Sequence, residues 1–594
     1  MKYFIVLLLV LYCGYYTNAV IGELIDVLGS ITDLLLKNYD YVIVGGGSSG
    51  CILALRLSAD SSNKVLLIES GSRSTGYFHG PDVIGTKGTL DGTTNTYTAS
   101  RKLTKYEVPL YWQSASITGT KWNYAPSGIP KILGGSGTHN GMVFQRGVQA
   151  DYNNWGVTDW SWTDVKPYFE KVEKILDSDL SGSGNHGHSG LIQVKEVGPF
   201  DSEGTNFLTS CDNAGLPFNS DFNSNTRDGC GYFQFNINSD GERSSPVQEY
   251  LETASTRSNL DILIDATVVK VNIEIELLTG NKVAKGVQFF RNNDPTTFYN
   301  AKATKEVILS AGALNSPKIL LQSGIGNSTY LSGYSSRIPT VYSNLPGVGK
   351  NLQNHFLAFT VWNYTQCPID RPTYYSTFTQ DLVYSTTGTG ILSTPGYSVG
   401  AWLRPNSSYA DAENVMLVLP ATIGSVTAFQ AITLGISISN PAPNSHYLQL
   451  SASLGASLSA FYQSAPVISF TLLNQAADVD TLVRGIKESR RIMSYPPMST
   501  LATPVVPDAT IDTDLELATW LSTNTHPHDH WVGTAKMGYS NDTNAVVDNH
   551  LRVFGIKKLR VIDASIMPKL PHSLVHATVM MIAEKGADIV LADN

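Results

Sequence analysis

A chain of 594 residues is long enough to bury at least two hydrophobic cores. Its 42% hydrophobic and 15% charged residues describe a globular protein and exclude a disordered one. A net charge of −9 argues against a polyanionic partner, so nucleic acid is not expected to bind.

Residues 1–19 read as a secretory signal. Lys2 precedes an apolar run from Tyr3 to Cys13, and Thr17-Asn18-Ala19 supplies small residues before a cut. The alternative for this stretch is a membrane anchor. No later segment is apolar enough to span a bilayer, so stable membrane insertion is not expected. Secretion fits Asn-x-Ser/Thr acceptor sites at Asn327, Asn363, Asn406 and Asn541. In residues 20–37, Leu24, Val27, Leu28, Ile31, Leu34 and Leu35 recur at roughly helical spacing and predict a leading helix.

From Tyr41 an apolar run enters Gly45-Gly-Gly47-Ser-Ser49-Gly50. A second run, Lys64-Val-Leu-Leu-Ile-Glu69, ends on an acid 19 residues after the last glycine. This is the layout of strand, tight turn, helix and strand. Gly45 permits the turn, Gly47 lets backbone approach a pyrophosphate, and Gly50 lets helix pack on strand. The helix start at Ser49 offers unpaired N–H groups to phosphates. Glu69 stands where a carboxylate accepts hydrogen bonds from an adenosine ribose. Together these residues predict dinucleotide binding.

Residues 70–127, rich in Gly, Thr, Ser and Tyr, suggest extended loops, and a helix is expected after the Trp160/Trp162 pair. Residues 259–271 read as two short strands and 306–312 as another. From 351 to 529, β-like apolar runs alternate with Ser/Thr/Gly/Pro turns, the pattern of a mostly antiparallel sheet. Residues 559–563 read as a strand and 575–591 as a long apolar helix. Cys51 is expected as a buried filler, and Cys211 and Cys230 could pair, with the connectivity left open. His526, His528 and Asp529 are conceivable around a metal. They lack zinc-type spacing to distant partners, and no metal site is expected.

Five ordered segments carry a resemblance to the glucose–methanol–choline (GMC) family of FAD-dependent oxidoreductases. They are Lys131-Ile-Leu-Gly-Gly-Ser-Gly-Thr-His-Asn-Gly-Met-Val-Phe-Gln-Arg-Gly147, Gly312-Ala-Leu-Asn-Ser-Pro-Lys-Ile-Leu-Leu-Gln-Ser-Gly-Ile-Gly326, Leu345-Pro-Gly-Val-Gly-Lys-Asn-Leu-Gln-Asn354, His530-Trp-Val-Gly-Thr-Ala-Lys-Met-Gly538 and the stretch 546–568 ending in Met567-Pro568. The resemblance implies an α/β, Rossmann-like FAD domain built from discontinuous segments, 38–69, 128–150, 240–345 and 540–594. It also implies an α+β substrate domain on an antiparallel sheet, with the cofactor lid, from 70–127, 151–239 and 346–539.

The resemblance also implies roles for particular residues. Gly134 and Gly135 would let backbone lie against the cofactor, Val269 would clamp the adenine through main-chain groups, and Asp563 would lie near the pyrophosphate–ribitol. Thr138-His139-Asn140 follows the choline-oxidase-like form, in which the histidine is bonded to the flavin 8α-methyl carbon. The alternative is a histidine hydrogen-bonded beside the ring. His530 falls where the family places its base, which takes the hydroxyl proton while hydride passes from the alcohol carbon to flavin N5. Seven residues beyond Met567, where relatives carry Asn or His, stands Leu574, which can neither donate nor accept a hydrogen bond. His576 lies two residues on and His572 two before; either His576 supplies the second catalytic group from a shifted place, or the site works with His530 alone.

The expected function is therefore a secreted FAD-dependent alcohol oxidase using O2 and giving hydrogen peroxide. Its substrate could be an aryl carbinol or a cyanohydrin such as mandelonitrile. The alternatives are a dehydrogenase with a quinone-like acceptor, a hydroxynitrile lyase with non-redox FAD, and a flavin-binding protein without turnover.

Overall fold

The computed structural model describes residues 38–74, 83–90, 97–112, 121–124, 129–198, 202–365, 383–384, 387–406, 408, 411–419, 431–451 and 457–594. The expected signal and leading helix, Cys367 and part of the 70–127 loops lie outside the described residues.

The first apolar run forms β1, Asn38–Val44, and the Gly45–Gly50 turn leads into α1, Ser48–Leu57, and on to β2, Val65–Ile68. β1 and β2 pair in parallel, as a right-handed crossover through a helix requires. From Tyr41 on, their residues are buried on both faces, which explains continuous apolar runs in place of alternation. The same sheet gains β3, Leu260–Leu263, β4, Ala266–Ile275, β5, Lys282–Arg291, and β6, Asp294–Leu309. Its order is β3-β2-β1-β6-β5-β4, with the strand Leu559–Val561 also pairing β6. β3, β2, β1 and β6 are parallel neighbours, and β4-β5-β6 form an antiparallel meander. The two strands expected in 259–271 are present, with the second running on to Ile275. The strand expected from Glu306 is the end of the 16-residue β6. After β6 comes α2, Gly312–Gln322.

The second domain is built on an eight-stranded sheet. Its centre consists of β7, Phe356–Tyr364, β8, Val399–Leu403, β9, Asn414–Leu419, and β10, Ala431–Ile438. β7-β10-β9-β8 pair antiparallel throughout. α3, Ala476–Met493, packs against it and has no counterpart in the sequence expectation for 351–529. The short strands Phe218–Asn219 and Gly229–Tyr232 extend the sheet beyond β8. The chain ends with α4, His576–Asp593, which returns to pack on α1.

Cys211 and Cys230 form a disulfide across a separation of 19 residues, joining the helix Ser202–Asn213 to the strand Gly229–Tyr232. Closing a loop of this length removes unfolded-state entropy worth about 3 kcal/mol. The Cys211→Ser/Cys230→Ser double variant is therefore expected to lose about that much stability by urea unfolding. An unchanged midpoint would show that this bond does not support the fold. Cys51 is buried, and its thiol donates to the Gly46 carbonyl (3.3 Å).

Candidate functional site

The parallel sheet and the antiparallel sheet share a cavity of about 610 Å³. One end is made by the two glycine loops. Gly45 has φ +101°, and a Cβ there would meet the Ser310 carbonyl at 2.5 Å. A Cβ on Gly50 would sit 1.9 Å from the Gly45 carbonyl oxygen, so α1 reaches the strand end only because position 50 is bare. Gly47 has no neighbour within 4 Å of its Cβ position and lines the cavity. The second loop docks on the first: Gly134 N–H donates to the Gly46 carbonyl (2.6 Å), and Gly135 lies against the Gly47 Cα. Gly134 and Gly135 both have positive φ. Ser49 ties the turn to the 559–566 segment by donating to the Ile562 carbonyl (2.5 Å).

Glu69 is buried and accepts from Gly46 N–H (2.7 Å) through one oxygen and Gly71 N–H (2.6 Å) through the other. Each oxygen keeps a lone pair for a further donor. Burial pushes its carboxyl above the ordinary range, against the lowering effect of those amides. Ala266, Thr267 and Val268 line the same end, whereas the Val269 side chain is buried in the core. Any adenine clamp at Val269 is thus a main-chain matter. All four acceptor positions of Asp563 serve the fold: Gly312 N–H and Ser316 hydroxyl on one oxygen, Ser565 N–H and hydroxyl on the other. Asp563 lines the cavity and pins the start of α2. Bare backbone at Gly47 and Gly135, the α1 N-terminus and a buried ribose-competent carboxylate fit the diphosphate and ribose of FAD.

His139 and Asn140 also line the cavity. The Asn140 side-chain oxygen accepts from Met142 N–H (3.0 Å) and from Arg243 Nη1 (2.7 Å), which leaves its NH2 group to face outward. Arg243 is buried, donates also to the Tyr106 and Asn140 carbonyls, and has its pKa lowered to about 9 by burial. His576, at the start of α4, lies with Nε2 3.0 Å from Ser48 Oγ and Nδ1 3.1 Å from Asn236 Nδ2. Both ring nitrogens thus have partners within the protein. Burial, with the Arg243 charge nearby, lowers its pKa to about 3.

The far end holds His530. The short strand Thr525–Pro527 pairs with β7, and His528 N–H donates to the His355 carbonyl (3.0 Å). Asp529 then takes φ +59°, a left-handed turn that brings His530 back toward the cavity beside His528. His530 N–H donates to Asn354 Oδ1 (2.7 Å), so the last residue of the 345–354 motif fixes the segment. His530 Nδ1 is 2.9 Å from His355 Nδ1, and His355 Nε2 is 3.1 Å from the Ser439 carbonyl. The rings of His528 and His530 lie 4.1 Å apart between centroids. Burial lowers the pKa of all three, to about 3 for His355, to about 4 for His528 and well below 6.5 for His530.

Neutral imidazoles fix the tautomers. A carbonyl can only accept, so His355 Nε2 carries its proton and His355 Nδ1 is a lone pair. His530 Nδ1 must then be the N–H, which leaves His530 Nε2 as an unprotonated acceptor. That is the state a general base needs. Among the described residues, no three His, Cys, Asp or Glu are grouped to hold a metal ion.

The same histidines predict acid lability. His355, His528 and His576 stay neutral when folded down to about pH 3–4, but take a proton near 6.5 when unfolded. The unfolded chain binds more protons across that window, so the stabilisation is complete above pH 6.5 and is lost as pH falls. Unfolding free energies from urea titrations between pH 7 and 4.5 are expected to fall, by up to about 1.4 kcal/mol per pH unit for each histidine. A flat profile would mean that the imidazoles are solvated.

Beyond His530 the wall turns apolar. Leu574 packs against the cluster that contains Met142, Val143 and Tyr397, and Leu417 and Trp112 pack beside it. Trp112 and Tyr397 meet edge to face, 5.8 Å between centroids. The Trp112 N–H donates to the Pro395 carbonyl and the Tyr397 hydroxyl to the Gly141 carbonyl, so both rings turn apolar surface inward.

His355 and Arg243 were missed by the sequence reading, although His355 directly follows the 345–354 motif. His528 was noticed only as a conceivable metal ligand. Their roles come from strand pairing and burial, which no local pattern displays.

Two family models described as GMC oxidoreductase match residues 39–357 and 457–583. A glucose dehydrogenase [FAD, quinone] of Drosophila pseudoobscura pseudoobscura is 33% identical over 570 residues, covering 92% of this chain and 86% of the relative. An oxygen-dependent choline dehydrogenase of Pectobacterium carotovorum subsp. carotovorum is 31% identical over 581 residues, covering 93% and 94%. Among solved structures, pyridoxine 4-oxidase from Mesorbium loti superposes with a TM-score of 0.74 at 25% identity, covering 93% and 99%. A fungal aryl-alcohol oxidase shares the fold at 21% identity with a TM-score of 0.72. The glycine cradle, the histidine-bearing wall and this end-to-end similarity lead to one conclusion: the chain belongs to the GMC oxidoreductases, FAD-dependent enzymes acting on the CH–OH group of their donors.

Proposed function

We propose that the protein is a secreted oxidase of apolar, aryl-type carbinols, with cyanohydrins such as mandelonitrile in its range. O2 is the proposed acceptor, giving hydrogen peroxide. The observation that carries this reading is that His530, whose Nδ1 meets His355, shares one cavity with an apolar wall of Trp112, Met142, Tyr397, Leu417 and Leu574. The alcohol O–H donates to His530 Nε2, and the imidazole takes that proton as the adjacent C–H gives up its hydride. FAD, when bound, supplies the two-electron acceptor for that hydride. A sugar would leave several hydroxyls unpaired against this wall, at a cost of about 1–3 kcal/mol each.

Adding aryl, aliphatic, sugar and cyanohydrin alcohols under argon tests the reading. Aryl carbinols are expected to bleach the flavin band fastest; bleaching by glucose alone would defeat it. A quinone-like acceptor is the second reading, favoured by the name of the Drosophila relative, and parallel assays with O2 and a soluble quinone separate the two. Leu574 motivates a third, a cyanohydrin lyase, marked by cyanide release while the flavin stays yellow. Secretion is supported by the apolar N-terminal run and by acceptor asparagines Asn363 and Asn541, which are exposed.

Covalent attachment of FAD at His139 belongs to the same proposal, supported by the Thr138-His139-Asn140 match and by the place of His139 on the cavity wall. Acid precipitation is expected to leave flavin in the pellet. Yellow supernatant over a colourless pellet would rule the bond out.

A further inference from the structure

The position seven residues after Met567 is Leu574, packed into the apolar wall, and His576 has both nitrogens engaged by Ser48 and Asn236. An alcohol at His530 would find an acceptor for its O–H there, but the alcohol oxygen also needs a donor. We propose that His528 is that donor: its Nε2–H holds the oxygen of the same alcohol whose O–H is taken by His530.

Three observations support the assignment. His528 lines the cavity next to His530, with the rings 4.1 Å apart and tilted by 36°. His528 and His530 are alternate residues of one segment, and across the left-handed Asp529 their rings lie side by side. The His528 Nδ1 is anchored on the protein, 3.1 Å from Ser437 Oγ, so the free nitrogen of the ring is Nε2. Ser437 Oγ also lies 3.1 Å from the Phe356 carbonyl and 3.4 Å from that of Ile438. The Phe356 carbonyl competes for the single Ser437 proton; an alcohol oxygen at Nε2 selects the tautomer in which Ser437 donates to His528 Nδ1 and the imidazole proton sits on Nε2. Burial keeps the ring neutral, so it offers this one proton and does not repel the proton moving to His530. In this arrangement the two imidazoles have opposite tautomers. His355 forces the proton of His530 onto Nδ1, and Ser437 allows that of His528 on Nε2.

The inference rests on His530 being the base, and the test separates the two. Flavin-loaded wild type, His528→Ala, His528→Asn, Ser437→Ala and His530→Ala are compared with benzyl alcohol under argon. Binding of the poor hydride donor 2,2,2-trifluoro-1-phenylethanol is followed by perturbation of the flavin spectrum. His528→Ala is expected to weaken analogue binding about tenfold and to slow flavin reduction about 10–100-fold, the range for losing a hydrogen bond to the reacting oxygen. The amide NH2 of His528→Asn should restore most of both, Ser437→Ala should show a smaller loss, and the acid limb of the pH profile should stay in place because His530 sets it. Wild-type analogue affinity and reduction rate in His528→Ala would overturn the role of His528. Full-speed reduction by His530→Ala, or no reduction of wild type by benzyl alcohol, would instead overturn the functional reading on which it stands.

Discussion

Replacing His530 with alanine is expected to slow reduction of the bound flavin by about 100-fold or more, with FAD content unchanged. The size follows from what leaves the cavity. His530 Nε2 is an unprotonated acceptor because its Nδ1–H is committed to His355, whose own proton is committed to the Ser439 carbonyl. Alanine removes the one imidazole of that chain with an open lone pair, and water is a much weaker base. The cofactor cradle is untouched, since its contacts lie in the Gly45–Gly50 and Gly134–Gly135 loops. Burial and the neighbouring histidines lower the His530 pKa, so the wild-type rate should hold at pH values where a solvated imidazole is already protonated. The sign is fixed: the base works when neutral, so activity falls only as pH drops through the depressed value. Stopped-flow reduction under argon, from pH 4.5 to 8, measures both effects. A His530→Ala enzyme reduced at the wild-type rate, or an acid limb near 6.5, would remove His530 from the role of base.

The sequence made the nucleotide half of this site readable because its constraints are local. Glycine at 45, 47 and 50, the flanking apolar runs and Glu69 all lie within 30 residues; Gly45, Gly50 and Glu69 meet backbone closely, and Gly47 is left bare on the cavity. The substrate half was much less readable. His355 reaches His530 through the pairing of β7 with Thr525–Pro527, a contact 175 residues apart in the chain. Arg243 reaches Asn140 across 103 residues, and nothing near it in sequence announces a buried cation. The α3 helix was missed within a region read as strands, where Ser/Thr/Gly turns before and after it dominated the pattern. Asp563, expected near the pyrophosphate–ribitol, lines the cavity, but its oxygens serve Gly312, Ser316 and Ser565, which spacing alone could not tell.

Two glycine substitutions should separate the fold from the ligand it carries. Gly50→Ala is expected to destabilise the nucleotide domain and abolish FAD retention. Its Cβ would lie 1.9 Å from the Gly45 carbonyl oxygen, a backbone atom that cannot rotate away. Gly45 is itself held at φ +101° against Ser310 and Ala311, so the clash must lift α1 off the sheet. Gly47→Ala should behave differently. Its backbone, φ −72° and ψ −170°, suits any residue, and its Cβ would meet no protein atom within 4 Å. The methyl group would instead stand in the cavity where the diphosphate approaches. Gly47→Ala protein should therefore fold, unfold in urea at the midpoint of the apoprotein, and yet be nearly colourless, with FAD affinity reduced by about 100-fold, the effect of about 2.8 kcal/mol of lost binding. The ratio of flavin to protein absorbance, measured beside the urea midpoint, reads both quantities from one preparation. Full flavin content in Gly47→Ala, with that flavin released by acid precipitation and so not held by a bond to His139, would mean that the diphosphate lies elsewhere, and wild-type stability in Gly50→Ala would mean that the helix does not need its close approach to the strand.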